Sequence, residues 1–162
     1  MPAAPTHRLL VLRHAKAAHG GDVADHQRPL TDRGRRQARG VGAWLAGAGL
    51  VPDLVLSSDA LRAKGTADLV VHAMPGVALR AVPELYEASA QAVMQLVSQT
   101  AESVRTLLVV GHEPTMSAFV TALTGRPVSF PTAAVAVVDL GVPWGEIARD
   151  AGNLVEVRSP AG

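Results

Sequence analysis

The chain has 162 residues, 48% of them hydrophobic, no cysteine, and 15 Lys and Arg against 14 Asp and Glu, a formal charge of +1. Near-neutral charge and only 3% aromatic residues argue against a nucleic-acid-binding surface, and the missing thiols exclude disulfides, thiolate nucleophiles and cysteine-based metal sites. No apolar run approaches the roughly 18 residues of a spanning helix, so the expectation is a cytoplasmic protein with no membrane partner, folded as one unit over 1–162 with its core at about 7–158.

The first element is a short β-rich run, Arg8 to Leu12, that stops at the charged cluster Arg13-His14-Ala15-Lys16 and the loop-like His19-Gly20-Gly21-Asp22. Leu30-Thr31-Asp32-Arg33-Gly34 then leads into a helix over Arg35 to Ala48. Ala38, Val41, Trp44, Leu45 and Ala48 recur there at helical spacing, Thr31 or Asp32 serves as N-cap, and Gly49 stops the helix. The next strand, Leu54 to Leu56, ends at Ser57-Ser58-Asp59 and feeds a helix over Leu61 to Ala73, closed by Pro75 and Gly76.

A weaker strand at Val77 to Val82 precedes Pro83-Glu84-Leu85-Tyr86-Glu87, and Ser89 caps a helix through Val97. The apolar run Thr106 to Val110 leads through the turn Gly111-His112-Glu113-Pro114 into a helix over Thr115 to Leu123, with Pro114 in its first turn. Ala133 to Leu140 and Leu154 to Val157 read as final strands that end in no obvious chemistry, separated by a Gly and Pro loop containing Trp144. The Ala/Pro-rich start, Met1 to Thr6, and the last few residues read as loose ends. Strands alternating with helices predict a three-layer α/β fold around a mostly parallel central sheet.

In such sheets ligands gather beyond the carboxyl ends of the strands. Three of those ends carry cationic or imidazole groups: Arg13-His14, Ser57-Ser58 with Arg62, and Gly111-His112. A single histidine at a strand end is more often a hydrogen-bonded structural residue, and an arginine on a helix more often a solvated charge. Two of each at one edge instead suit a phosphoryl dianion, because guanidinium forks match its oxygens and a neutral imidazole is a nucleophile toward phosphorus. Clustered Asp with His at ligand spacing is missing from these ends, and arginine repels a divalent cation, so neither metal nor cofactor is expected.

Leu12-Arg-His-Ala-Lys16, Arg28-Pro-Leu-Thr-Asp-Arg-Gly34, Ser57-Ser-Asp-Ala-Leu-Arg-Ala-Lys-Gly-Thr66 and Val109-Val-Gly-His-Glu-Pro114 resemble, in order and spacing, motifs of the histidine phosphatase superfamily (branch 1). The likeness is to its small SixA-like phosphohistidine phosphatases and spans roughly residues 8 to 140. It implies a phosphoglycerate-mutase-like fold and a metal-independent phosphatase. His14 would be the nucleophile, Arg13 and Arg62 would bind phosphoryl oxygens, and His112 would complete the pocket.

Two departures accompany the likeness. Ala15 stands where many members have Gly, which a negative φ tolerates, and the insertion that lids larger members is too short, which implies an open site. For a general acid, Glu84 is the nearest match to the family's acidic residue, with Glu87 and Asp25 as rivals. Lys16 and Arg28 are candidates for a positive substrate-binding rim. The substrate implied is phosphohistidine on a partner protein. A small phosphorylated metabolite or nucleotide, handled by a phosphatase or a mutase, and a non-catalytic phosphate-binding module are the alternatives.

Overall fold

A computed structural model describes residues 5–160. Its elements run β1 (His7–Arg13), α1 (Asp32–Gly47), β2 (Leu54–Ser57), α2 (Leu61–His72), β3 (Ala78–Ala81), α3 (Ala90–Ser98), β4 (Thr106–Gly111), α4 (Thr115–Thr124), β5 (Val135–Leu140) and β6 (Gly152–Arg158). One six-stranded sheet has the order β3-β2-β4-β1-β5-β6. The first four strands in that order are mutually parallel, whereas β5 pairs antiparallel with β1, and β6 antiparallel with β5. The sheet is therefore mixed: after α4 the chain enters β5 running against β1, and β6 returns beside β5 with no α-helix between them.

Strand alternation sorts the apolar residues onto two faces. Leu9, Val11, Leu107 and Val109 pack with Val93 and Val97 of α3 and with Met116 and Phe119 of α4. Leu10, Leu12, Leu108 and Val110 pack with Ala38, Val41 and Leu45 of α1 and with Ala67 and Val70 of α2. Residues on both faces of β1 and β4 are fully buried, which accounts for their unbroken apolar runs. Between the helices α1 and α2, Gly42 permits close approach: a Cβ there would lie 2.8 Å from the Val70 carbonyl oxygen.

Thr31 caps α1, its hydroxyl accepting from the Gly34 N–H at 3.0 Å, and Ser89 caps α3 in the same way through Ala92. Gly49 adopts a left-handed φ of 71° just past α1. Pro114 sits at the N-cap of α4, one residue before the first turn. Trp144 is fully buried in a short 3-10 turn, with its indole N–H donating to Val104 O at 2.7 Å, so the loop tryptophan is a core residue. Of the expected loose start, Thr6 is tied to Leu140 by a 2.9 Å backbone hydrogen bond, while residues 1–4 and 161–162 lie outside the described residues.

Candidate active site

Register decides which strand ends meet. In the parallel β1–β4 ladder Arg13 is paired with Gly111, and the His14 N–H donates to Gly111 O at 3.0 Å. The next residues on both strands are therefore neighbours, and the rings of His14 and His112 stand 5.2 Å apart. On the other side of β4, Ser57 is paired with Val110, so Ser58 follows beside His112. Arg62 enters from the first turn of α2, and the Arg13 side chain lies at the end of β1.

A cleft of about 240 Å³ is lined by Arg13, His14, Lys16, Arg28, Arg62 and His112, joined by His19, Glu113 and Thr132. All six cationic or imidazole residues proposed from the sequence thus share one pocket. Glu84 does not: it is exposed on the short turn Pro83–Leu85, which directs the chain past the sheet edge, and Glu87 is also exposed. Thr132 carries no sequence signal. It reaches the pocket because β5 runs antiparallel to β1, so that the start of β5 lies at the edge where the parallel strands end.

The loop after β1 is held by the second and third motifs. The Lys16 backbone accepts from the Thr31 N–H at 3.0 Å and donates to Gln37 Oε1 at 2.9 Å, and Ala17 bridges to Leu30. Gly34 is required by close approach, since a Cβ there would fall 1.9 Å from Lys16 O. The Ala15 N–H donates to the Thr66 hydroxyl at 2.9 Å, which itself donates to Arg62 O at 2.7 Å. Ala15 is not among the non-glycine residues with positive φ, which are Ala133 and Asp150, so its methyl group is tolerated.

His14 is buried, and its Nδ1 lies 2.8 Å from Ala15 O. A carbonyl only accepts, so Nδ1 carries the proton and the Nε2 lone pair is left free. Burial holds the imidazole far below histidine's ordinary range, at about 3, against the opposing pull of the Ala15 carbonyl and with help from the charges of Arg62 and Arg13. Burial and Arg62 similarly hold His112 at about 4. Both rings are neutral at physiological pH.

Arg62 donates to Asp25 O at 2.7 Å and to Asp25 Oδ2 at 3.0 Å, and its guanidinium carbon lies 5.9 Å from the Tyr86 ring centroid. The Tyr86 hydroxyl also donates to Asp25 Oδ2. These bonds, that of Tyr86 first, hold the Asp25 carboxyl well below the usual range, so that it is ionised and has no proton to give. Asp25 in turn raises the Tyr86 phenol. Arg28 is braced by Asp25 at 3.0 Å and by Ala18 O at 2.8 Å.

Arg13 donates to Phe130 O at 2.9 Å. After these contacts Arg13 Nε, Arg62 Nε and His112 Nδ1 remain buried with no partner. Buried polar atoms are nearly always satisfied, and of the five side-chain atoms without a hydrogen bond among the described residues these three belong to one cationic cleft, the others being His7 Nε2 and Thr100 Oγ1. An oxyanion in the cleft would supply the missing acceptors. Among the described residues no cluster of His, Asp or Glu is arranged to hold a metal ion, and no helix is long and apolar enough to cross a membrane.

Comparison with known proteins shows the family. Residues 9–102 match the model of the histidine phosphatase superfamily (branch 1). An uncharacterised protein of Mycobacterium tuberculosis is 36% identical over 160 residues, covering 92% of this chain and 99% of its own length. Among solved structures, the SixA protein of Agrobacterium tumefaciens superimposes with a TM-score of 0.84 at 30% identity, covering 98% of this chain and 100% of that one. The SixA of Nakamurella multipartitia gives 0.87 at 29% identity over the full length of both chains. The protein histidine phosphatase SixA complexed with tungstate gives 0.81 at 30% identity, over 94% of this chain and 96% of that one.

Proposed function

Because the chain belongs to the histidine phosphatase superfamily and is a phosphatase of SixA-like fold, we propose that it hydrolyses phosphohistidine on a partner protein, with His14 as nucleophile. The observation that carries this reading is the His14 tautomer. The Ala15 carbonyl accepts a hydrogen bond from Nδ1–H, which keeps the proton there and leaves a neutral Nε2 lone pair among Arg13, Arg62 and His112. That a SixA 30% identical to this chain was solved complexed with tungstate, itself an oxyanion, supports an oxyanion ligand for this chain.

In the first step the His14 Nε2 lone pair forms a bond to phosphorus as the substrate's P–N bond breaks. The electron pair of that bond goes to the departing nitrogen. A phosphoimidazole protonated on its other nitrogen leaves as neutral imidazole, so no protein acid has to supply a proton. This suits a pocket that Glu84 does not line and behind whose Arg62 the Asp25 carboxyl is held ionised. Arg13 and Arg62 offer donors to the equatorial oxygens, and His112 Nδ1 offers a third. Water then attacks phosphorus, His14 departs with the P–N electron pair, and the water's proton passes to the released phosphate. Lys16 and Arg28 form the cationic rim on which substrate enters.

A phosphoester substrate would replace the imidazole by an alkoxide, which needs a proton on leaving. Glu84 and Glu87 stand outside the pocket, Asp25 is held ionised, and the Glu113 carboxyl in the lining accepts from the Ser117 N–H and hydroxyl, which together favour the P–N bond over the P–O bond. The test is to mix enzyme with a phosphohistidine-bearing protein, quench in alkali and look for phosphate on His14 by mass spectrometry. Label on His14, lost in His14→Ala without loss of fold, is the expected result. A kcat/KM favouring one sugar phosphate or nucleotide, with no release from phosphohistidine, would overturn the substrate assignment.

A further inference from the structure

A second cleft, of about 420 Å³, lies between α1 and the β5–β6 pair. Its floor is Val41 and Val135, and its rim carries Arg33, Arg36, Trp44 and Arg158. Among the described residues no carboxylate lines it. The Arg158 guanidinium stacks on the Trp44 ring, 4.7 Å from its centroid, and Arg36 and Arg158 are both exposed. Neither forms an ion pair among the described residues, the nearby Asp32 being engaged with Arg35. Like charges held round one cleft repel each other, and an anionic occupant relieves that repulsion.

This cleft adjoins the catalytic pocket through two hydrogen bonds. Ala133, which lines it, donates to His14 O at 3.1 Å, and Gln37, which also lines it, accepts from the Lys16 N–H at 2.9 Å. We propose that the Arg36–Arg158 cleft is a substrate-docking subsite for an acidic segment of the phosphorylated partner protein, flanking the residue whose phosphoryl group enters the His14 pocket. The proposal rests on the protein-substrate reading above. An Asp- or Glu-bearing peptide fits better than a nucleobase, because Trp44 is the only aromatic residue in the lining and Arg158 already stacks on its ring.

Two measurements test it with the full chain. In the first, a hexaglutamate peptide is titrated while Trp44 fluorescence is followed, the fully buried Trp144 giving a constant background. Binding should weaken with salt and fall about tenfold or more in Arg36→Glu/Arg158→Glu, with Arg36→Gln/Arg158→Gln as the milder pair should the reversal fail to fold. In the second, phosphohistidine peptides flanked by Glu or by Lys are compared. The wild type should prefer the Glu-flanked peptide by about tenfold or more in kcat/KM and the double variant should not, while both hydrolyse p-nitrophenyl phosphate within about twofold of each other.

Equal binding of hexaglutamate by wild type and variant, tighter binding of ADP than of hexaglutamate to this cleft in His14→Ala, or an unchanged peptide preference would overturn the subsite. Release from neither phosphopeptide, with hexaglutamate still bound through Arg36 and Arg158, would overturn the phosphohistidine assignment and leave the acidic-segment site standing.

Discussion

The Ser58 hydroxyl lies 2.8 Å from His112 Nε2 and accepts from the Ala60 N–H at 3.2 Å. With its lone pair facing Ala60, the hydroxyl is free to donate its proton to Nε2, which places the His112 proton on Nδ1, the buried nitrogen with no partner. Ser58 thereby turns His112 into a donor for an incoming oxyanion. It acts through His112 and is a positioning residue.

Ser58→Ala should accordingly lower kcat by about ten- to a hundredfold with a smaller change in KM, the scale of misplacing one preorganised donor. Nitrogen-15 NMR should show the His112 proton redistributed from Nδ1 toward Nε2. An unchanged tautomer with unchanged kcat would remove Ser58 from this role.

The pH dependence follows from burial. With His14 at about 3 and His112 at about 4, neither ring titrates near histidine's usual value. Once the substrate's own phosphoryl ionisation is divided out, kcat/KM should show no histidine limb between about pH 5 and 7. A limb near 6.5 that disappears on altering His14 would contradict the burial argument.

Stability should move in the corresponding direction. The folded-state values lie below the unfolded ones, so stability is fully present above about pH 6.5 and declines as pH falls toward 4 and then 3, because the unfolded chain takes up protons that the folded rings refuse. Denaturant midpoints measured down this range should fall less steeply in His14→Asn than in wild type.

Gly34→Ala should damage both fold and activity. The new methyl group would overlap the Lys16 carbonyl oxygen at 1.9 Å, with backbone on both sides and no flexible side chain to give way. A destabilisation of about 1–3 kcal/mol is expected by thermal unfolding, with a loss of about a hundredfold in kcat/KM as the His14 loop shifts. Gly47→Ala at the end of the same helix meets nothing within 4 Å and serves as the control, with no loss of stability or activity.

Arg62→Ala removes a donor from the pocket and the partner of Asp25 at one stroke. A loss on the order of 3 kcal/mol in transition-state stabilisation, about a hundredfold, is expected. Arg62→Lys should recover little, since a point charge cannot serve both Asp25 and a phosphoryl oxygen. Activity should survive EDTA throughout; its loss on chelation, restored by magnesium or zinc, would show that the arginines are not the charge source.

The amino-acid order alone determined the strands, the helices and most of their ends. Leu9 to Leu12 and Leu107 to Val110 are buried on both faces, Thr31 and Ser89 are caps, and these are properties of short segments that reveal themselves in local pattern. The pocket residues Arg13, His14, Lys16, Arg28, Arg62 and His112 were legible too, since motifs at the ends of parallel strands converge on one edge. What only the tertiary structure decided was contact between segments distant in sequence. Sheet order and register set Ser58 on His112, the reversal of β5 brought Thr132 to the pocket, and the packing of the Asp25 turn and Tyr86 against α2 tied up Asp25 and left Glu84 outside. No local pattern encodes those pairings, because each depends on where two separately folded segments come to rest against the same sheet.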